Sequence, residues 1–387
     1  MTSRPVLRTR LCKMLGIEYP VLLAGMGPTV GESNHGVAGP ALVAAISNAG
    51  GLGVLGGTGY GPDEMEQAIK DIRALTDKPF GIDILLPVLG PKAGSELPKD
   101  VTLTSLIPGP HREAVEQMRQ ALGLPEVSRP PRKNEDPAGM ASALFNPQAQ
   151  IDVIVGMGVP VLATGLGDPG PFMAQLRNAG TTVLSLVGNV KAAQRVLGSG
   201  VDAVVAQGTE AGGHTGRIGT MALIPQVLDI AGNVPVVAAG GIGDGRGLAA
   251  ALAMGAEAVW CGTVFIATDE ANQEQSRKER IVAADDEGTK VTRLYSGKTM
   301  RNITNPLIDA WENSGIKALP MGMQSALVSP LLKGAAAAGH DDWSMLAAGQ
   351  VSGLVKKIRP AGEVLAEMVE VAAEIIGRDL ARRVATS

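Results

Sequence analysis

The residues best suited to chemistry lie in one glycine-rich stretch, residues 201–216, which reads VDAVVAQGTEAGGHTG. An apolar run leads into a loop that carries four glycines and one histidine, His214. Glycine lets the backbone approach a ligand closely, and imidazole is the side chain whose charge changes most readily near neutral pH. The pattern indicates an active-site loop, although a plain glycine turn with a solvated or capping histidine would have the same sequence.

Two further glycine-rich turns could bind phosphate. In residues 236–245 an apolar run leads into Gly240 and Gly241 and then into a helix-like segment, and residues 258–263 end in Gly262 and Thr263. Barrel proteins commonly bind phosphate after their seventh and eighth strands, through loop amides and a helix dipole. The two turns together predict a phosphate site, with ordinary turn glycines as the alternative.

Three weaker patterns concern strand ends and a nucleotide fingerprint. Ala24, Gly25 and Met26 follow an apolar run, where flat backbone could lie against a ring, and Gln207 could bond a polyol or ring edge or merely cap a turn. Residues 51–56 satisfy GxGxxG, but they follow a helix-like segment and enter a strand. A Rossmann loop needs the order strand, glycines, helix, so we do not predict a dinucleotide site there.

These residues must be positioned by alternating strands and helices. Short β-branched runs alternate with Ala/Leu-rich amphipathic segments from residue 21 onward, which predicts βαβ units. The predicted strands are 21–26, 53–57, 80–86, 159–164, 181–187, 201–207, 234–239 and 258–265. Eight strands match an α/β fold of the (β/α)8 TIM barrel type, with a doubly wound open sheet as the alternative.

The domain organisation is predicted from where this rhythm breaks. Residues 1–86 and 147–268 are assigned to the barrel, 87–146 to an insertion after strand three, and 269–387 to a C-terminal helical segment that packs on the barrel. The proline-rich insertion would emerge at the carboxyl end of the strands, where it could form a lid or a solvated excursion. The C-terminal segment ends in an amphipathic helix that Gly377 could cap.

Composition excludes several classes of function. A formal net charge of −4 provides no basic field for nucleic acid. The sequence contains no run of about 18 consecutive apolar residues, so no membrane span is predicted. The two cysteines, Cys12 and Cys261, form no CxxC pair, which fits a reducing compartment, and we expect a cytoplasmic protein. No His/Cys/Asp set has ligand spacing, so no metal site is predicted.

The remaining histidines and the cysteines are weaker candidates for catalysis. His35, His111 and His340 lie in polar segments where solvation is the simpler interpretation. Neither Cys12 nor Cys261 lies on an exposed glycine loop, as a thiolate nucleophile would. This argues against barrel dehydrogenases of the inosine monophosphate type, which use a loop cysteine.

Several motifs resemble those of a known family. They are LAGMG at 23–27, SNAGGLGVLGG at 47–57, AQGTEAGGHTG at 206–216, AAGGIGDGRG at 238–247, CGTVF at 261–265 and, more weakly, YSGKTMRNITN at 295–305. The sequence is similar to the nitronate monooxygenase (2-nitropropane dioxygenase) family of FMN-dependent barrels and to the related flavin-dependent enoyl-ACP reductases.

The resemblance implies particular site residues. Contacts to FMN are implied at Ala24, Gly25, Met26, Gln207 and Gly212, and contacts to its phosphate at Gly240, Gly241, Gly262 and Thr263. His214 takes the position of the catalytic histidine. The family usually has asparagine near the flavin at the end of strand three, where this chain has Asp83. An ionised carboxylate there would accept a hydrogen bond but could not donate one.

The implied activity is oxidation of alkyl nitronates, and of nitroalkanes, by FMN and O2. His214 would either hold the anionic nitronate when protonated or remove the α-proton of a nitroalkane when neutral. Two alternatives stay open: an FMN enzyme that reduces an enoyl thioester with NAD(P)H, and a flavin-binding barrel without turnover. The expected partners are a small-molecule substrate and O2, without nucleic acid or membrane.

Overall fold

The computed structural model describes residues 6–27, 36–86, 106–127 and 147–384 of the chain. Eight parallel strands of this part are β1 (Val21–Leu23), β2 (Gly53–Gly56), β3 (Phe80–Leu85), β4 (Val161–Gly165), β5 (Thr182–Val187), β6 (Ala203–Gln207), β8 (Val236–Ala239) and β9 (Ala258–Cys261). They pair in the order β1-β9-β8-β6-β5-β4-β3-β2. A parallel bridge from Leu22 to Leu52 joins the two ends of the sheet. The sheet is therefore a closed TIM barrel, as predicted, and not an open doubly wound sheet.

Strand side chains alternate between the barrel interior and the surrounding helices. The interior cluster includes Leu22, Val54, Val161, Val205, Val237 and Trp260. Neighbouring strand residues such as Leu23, Leu55 and Val204 instead pack under the helices. Continuing the interior rows by two residues at a time places Ala24, Asp83 and Gln207 inside the carboxyl-terminal mouth. The other end is plugged by α1 (Arg10–Leu15), whose Leu11 and Leu15 join the interior cluster.

Helices between the strands form the outer ring. They are α2 (Pro40–Asn48), α3 (Pro62–Leu75), α5 (Pro147–Gly156), α6 (Met173–Asn178), α7 (Val190–Gly198), α8 (Thr220–Ala231) and α9 (Gly245–Ala253). Capping residues in the sequence determine where these helices begin, as α3 shows. Pro62 occupies the first turn of α3, and the Glu64 carboxylate accepts the Gly61 N–H at 3.1 Å.

The predicted strand 258–265 is wrong in its second half. The strand ends at Cys261, and α10 (Thr263–Ile266) follows, with the Phe265 N–H bonded to the Gly262 carbonyl at 2.8 Å. Val264, Phe265 and Ile266 have strand-like propensities, but burial beneath neighbouring elements determines their conformation here.

The last place in the outer ring is filled by a helix from far along the chain. Helix α14 (Ala361–Glu374) packs between α9 and α2, and its Val364, Leu365 and Met368 belong to the main core. Gly245 allows the close approach, because a β-carbon there would lie 2.5 Å from the Met368 carbonyl oxygen. The sequence division assigned this helix to the C-terminal segment.

The chain continues beyond α14 without a cap. A π-helical turn (Ile375–Asp379) leads into α15 (Leu380–Arg383). The expectation that Gly377 caps the helix is therefore wrong, because this glycine lies inside the helical run. Its neighbours Glu374 and Arg378 pair across one turn, which favours continuation of the helix.

Replacing Leu365 with alanine tests the contribution of α14 to the barrel. Leu365 is fully buried, so we expect the L365A variant to lose about 2–5 kcal/mol of unfolding free energy in urea titrations. Leu380 in α15 is 43% exposed and serves as the control, with an expected change within about 0.5 kcal/mol. If L365A loses no more unfolding free energy than L380A, α14 does not belong to the cooperative barrel unit.

A second unit, which we call the cap, covers one side of the mouth. It consists of α4 (Gly109–Ala121), β10 (Thr289–Thr292), β11 (Met300–Ile303), α12 (Pro306–Ser314) and α13 (Met323–Ala337). Helix α4 contacts α12 and α13 around a separate core that contains Trp311 and Leu331. The described part of the insertion thus packs against the C-terminal segment, and its other residues lie outside the described ranges. The predicted domain division remains a prediction.

The cap and barrel meet at a small antiparallel sheet. It has the strand order β10-β11-β7, where β7 (Gly213–His214) belongs to the glycine-rich loop after β6. Helix α11 (Gln275–Ala283) and 3-10 turns at Gly170–Phe172, Asp341–Trp343 and Gln350–Leu354 complete the described elements. Within the described residues no helix is long and apolar enough to cross a membrane.

Candidate functional site

His214 is fixed by contacts from three elements. Its backbone pairs with Met300 in β11, and its carbonyl oxygen accepts a hydrogen bond from the Gln207 Nε2 at 2.7 Å. On the side chain, Nε2 lies 2.9 Å from the Ser296 Oγ. The barrel therefore supplies Gln207 and the cap supplies Ser296, so the imidazole sits where the two units join.

The surroundings of His214 favour its neutral form. Burial, followed by the positive charge of Lys298, lowers the pKa of the imidazole below its usual value. The Ser296 Oγ also accepts the Lys298 N–H at 3.3 Å. Since both effects disfavour imidazolium, His214 is a neutral ring at pH 7, with one nitrogen bonded to Ser296.

The end of β1 lies against the end of β3. A β-carbon on Gly25 would lie 2.7 Å from Asp83 Oδ2 and would overlap the Asp83 Cβ, so only glycine fits beside this carboxyl group. Asp83 is 8% exposed, and its Oδ1 has no hydrogen-bond partner among the described residues. Burial raises the pKa of Asp83 to about 7. The site thus contains a buried carboxyl group with an unsatisfied oxygen.

The same end of β1 also contacts the turn after β9. A β-carbon on Gly262 would lie 3.3 Å from the Ala24 Cβ and 3.4 Å from the Met26 Sδ. The next residue, Thr263, is buried, and its Oγ1 accepts the Gly349 N–H at 2.8 Å. Its hydroxyl proton remains available to a further acceptor.

The turn after β8 exposes backbone donors. Gly240 and Gly241 both have positive φ, at 92° and 72°, a conformation that favours glycine. Outside the paired strands of the described part, the N–H groups of Gly240, Gly241, Gly262 and Thr263 donate to no protein acceptor. The start of α9 is different, because the Asp244 carboxylate already accepts the Arg246 and Gly247 N–H groups. Two of the first N–H groups of α9 are thus already bonded within the protein, and the predicted contribution of a helix dipole to phosphate binding remains a prediction.

Gly212 lies against a segment that the sequence interpretation missed. A β-carbon on Gly212 would lie 2.6 Å from the Ala348 carbonyl carbon and 2.7 Å from the Gly349 nitrogen. The Gln350 N–H, in turn, donates to the Glu210 carbonyl at 3.0 Å. Residues 347–350, which we call the strap, thus connect the glycine-rich loop to Thr263. Glycine beside a 3-10 turn was the only local signal for it.

Two charged side chains hold the glycine-rich loop in shape. Arg301 of β11 is buried and donates from Nε and Nη2 to the Thr209 carbonyl at 3.2 Å. The Glu210 carboxylate accepts the Thr220 N–H at 2.9 Å and its hydroxyl at 2.8 Å, at the start of α8. Ser296 and Arg301 both belong to the weaker motif at 295–305, whose chemistry the sequence interpretation did not assign.

The structure brings all the predicted site residues to the carboxyl end of the barrel. Ala24, Gly25, Met26, Asp83 and Gly262 form one contacting group. Gln207 and His214 are joined directly, Gly212 and Thr263 are joined through the strap, and Gly240 contacts the same loop at the Gly208 carbonyl. The assignment of each to a ligand remains a proposal.

The other histidines and cysteines lie away from this site or lack suitable chemistry. His111 Nε2 lies 3.0 Å from the Lys317 carbonyl oxygen, and His340 stacks on Trp343, so both have protein partners. His35 lies outside the described residues. Burial raises the pKa of Cys261 to about 12, which makes it a poor nucleophile. No group of three His, Cys, Asp or Glu side chains in the described part could hold a metal ion.

A closed barrel with polar side chains and glycine turns at the carboxyl ends of its strands belongs to the TIM-barrel class, whose enzymes act at that face. Comparison with known proteins narrows the class. A family model described as nitronate monooxygenase matches residues 8–371. The chain therefore belongs to the nitronate monooxygenase family and is an oxidoreductase.

Individual relatives extend along the whole chain. A Mycobacterium tuberculosis protein named as a candidate monooxygenase is 36% identical over 96% of this chain and 98% of its own length. A solved structure of nitroalkane oxidase from Streptomyces ansochromogenes is 31% identical, with a TM-score of 0.75 over 95% of this chain and 99% of that chain. FabK from Thermotoga maritima is 29% identical, with a TM-score of 0.73 over 98% and 100% of the two chains.

Proposed function

We propose that this protein uses FMN and O2 to oxidise alkyl nitronates, and nitroalkanes that ionise to them. The observation that carries the proposal is the neutral, partly buried His214, bonded to Ser296 and held at the mouth beside two glycine turns whose N–H groups face no protein acceptor outside the paired strands. Family membership and the similarity to a nitroalkane oxidase support the same chemistry.

The residues at the mouth fit the two ends of a flavin nucleotide. The N–H groups of Gly240, Gly241, Gly262 and Thr263 suit a phosphate. At the other side, Asp83 Oδ1 lacks a partner among the described residues, and Gly25 lies against the Oδ2 side of the carboxyl group. Ala24, Met26, Gln207 and Gly212 would line the ring. Bound there, FMN supplies the acceptor for electrons from the substrate and passes them to O2.

His214 would act on the substrate carbon. A neutral imidazole that is within reach of the α-carbon can remove its proton, and the resulting imidazolium faces the anionic substrate that it has formed. Ser296 keeps the ring in one orientation through its bond to Nε2, which leaves Nδ1 as the other ring nitrogen. Lys298 adds positive charge near the ring, which favours the anionic nitronate over the neutral nitroalkane.

The absorption spectrum and an anaerobic reduction test the proposal. We expect the purified protein to carry FMN with flavin absorption bands, and the bands to bleach when alkyl nitronate is added without O2. Admission of O2 should restore them. A protein that neither contains nor takes up FMN would overturn the proposal, and so would one whose FMN is not reduced by nitronate.

A second candidate is reduction of an enoyl thioester by NAD(P)H through FMN. Its supporting observation is the similarity to FabK, whose TM-score of 0.73 nearly equals that of the nitroalkane oxidase. The same anaerobic experiment separates the two, because rapid bleaching by NAD(P)H favours the reductase. Bleaching by nitronate alone favours the oxidase.

Replacing Ser296 with alanine tests how the histidine is held. Loss of this hydrogen bond should cost about 1 kcal/mol, so we expect kcat/KM for a nitroalkane to fall roughly 5-fold. Because the Ser296 hydroxyl no longer fixes the imidazole, the pKa of His214 in the pH profile of kcat/KM should also shift. Ser325, which donates to the Tyr295 carbonyl within the cap, is the control, and S325A should leave both unchanged. An unchanged pH profile in S296A would contradict this role.

A further inference from the structure

We propose that Asp83 contacts the flavin ring as a neutral carboxylic acid, so that FMN binding takes up a proton at weakly alkaline pH. The inference rests on the proposed function, because it concerns the same cofactor site. It adds a property of the site: flavin occupancy that depends on pH through one side chain.

The position of Asp83 leaves one carboxyl oxygen without a protein partner among the described residues. In β3 the side chains of alternate residues face the barrel interior, and Asp83 lies level with Gly56 in β2 and Ala163 in β4. Neither neighbour offers a hydrogen-bonding side chain. Gly25 covers the Oδ2 side, while Oδ1 is buried and unbonded within the described residues. A buried polar atom of this kind normally has a partner, so a ligand is the natural candidate.

Charges around Asp83 do not favour its ionised form. Residues 21–27 of the adjoining segment carry no ionisable side chain, and β2 and β4 carry none along their lengths. Tyr60, beyond β2, stays protonated because burial raises its pKa. In the described part of the chain, burial alone therefore acts on Asp83, and it raises the pKa to about 7.

A bound ring would strengthen this preference. The ring would cover the carboxyl group and remove its remaining contact with water, which further disfavours the charged form. A carboxylic acid can donate one hydrogen bond and still accept others, whereas a carboxylate can only accept. The neutral acid can thus replace an amide side chain at this position, and the site binds FMN with a proton that the free protein releases above its pKa.

The dissociation constant of FMN for the apoprotein, measured at pH 7.5 and 8.5, tests the inference. We expect the wild-type affinity to fall nearly 10-fold over this interval, because the apoprotein loses the Asp83 proton and must regain it to bind. D83N has no such proton, so its affinity should be almost constant. The phosphate of FMN, with a second pKa of about 6, and the neutral His214 do not titrate in this window. D63N, at an exposed position of α3, is the matched control and should follow the wild type.

Proton uptake provides a readout that does not depend on enzyme activity, and its result for the wild type stands without any variant. In weak buffer at pH 8, FMN binding to the wild type should take up close to one proton, detected with an indicator dye, and binding to D83N should take up almost none. An absence of uptake by the wild type would overturn the inference, even if D83N failed to fold. Binding of FMN without proton uptake would leave the proposed function standing, whereas failure of every variant and the wild type to bind FMN would overturn the proposed function itself.

Discussion

Replacing His214 with glutamine is expected to slow oxidation of a neutral nitroalkane by about 10²- to 10⁴-fold, the usual contribution of a general base. Glutamine keeps a polar group near Ser296 but cannot take a proton from carbon. Oxidation of a preformed nitronate needs no base, and we expect it to fall only about 10-fold through the loss of a hydrogen bond. FMN content should be unchanged. Steady-state O2 consumption with the two substrate forms measures both effects.

The expected pH dependence of nitroalkane oxidation follows from the lowered pKa of His214. Because burial and Lys298 lower this pKa below its usual value, the base is active at pH 7 and is lost as pH falls through the lowered pKa. The kcat/KM for a nitroalkane should therefore be level around pH 7 and should decline only at a pH below the ordinary histidine pKa of about 6.5. H340Q, which changes a histidine stacked on Trp343, is the control and should behave as wild type. Equal losses on nitronate and nitroalkane in H214Q would show that His214 binds rather than abstracts.

Replacing Gly240 with alanine is expected to weaken FMN binding by roughly 10- to 100-fold, which corresponds to one charged hydrogen bond of about 1.5–3 kcal/mol. Its φ of 92° is strained for alanine, and a β-carbon would lie 2.8 Å from the Gly208 carbonyl oxygen and 3.0 Å from the Thr220 Oγ1. The turn must move to relieve these contacts, so the N–H groups of Gly240 and Gly241 would no longer converge. Titration of the apoprotein with FMN measures the loss.

Gly180 offers a matched control for this substitution. It also has a positive φ, 72°, but it precedes β5 at the opposite end of the barrel, and a β-carbon there would meet nothing within 4 Å. G180A should therefore lose about 1–2 kcal/mol of stability from the strained backbone alone, with unchanged FMN affinity. If G180A weakens FMN binding as much as G240A, general destabilisation explains the effect and the phosphate assignment fails.

The parts of the site that could be predicted from sequence are those that lie directly after strands. His214, Gln207, Gly240 and Gly262 each follow an apolar run, and the barrel architecture brings such positions to one face. Ser296 and the strap could not be placed in the same way. Their contacts to His214 and Gly212 cross more than 80 residues of sequence, and nothing local distinguishes them from other serines or glycines.

The errors in the predicted fold also arise from contacts between segments that are distant in the sequence. Residues 263–266 carry strand-forming side chains and yet form α10, because tertiary packing overrides propensity in a four-residue segment. The sequence predicts that α14 is amphipathic, but its partner surface on α9 and α2 is a property of the assembled barrel. Sequence periodicity shows that a helix has an apolar face and does not identify what that face covers.

Helix α14, which completes the outer ring of helices, is synthesised long after the strands of the barrel. Because α14 follows β9 by about a hundred residues, all eight strands leave the ribosome while the surface between α9 and α2 is still bare. Contacts of such high sequence separation form slowly and leave apolar surface exposed meanwhile. During synthesis the nascent barrel therefore carries an open apolar seam, and that seam is where a chaperone would bind and where aggregation would begin.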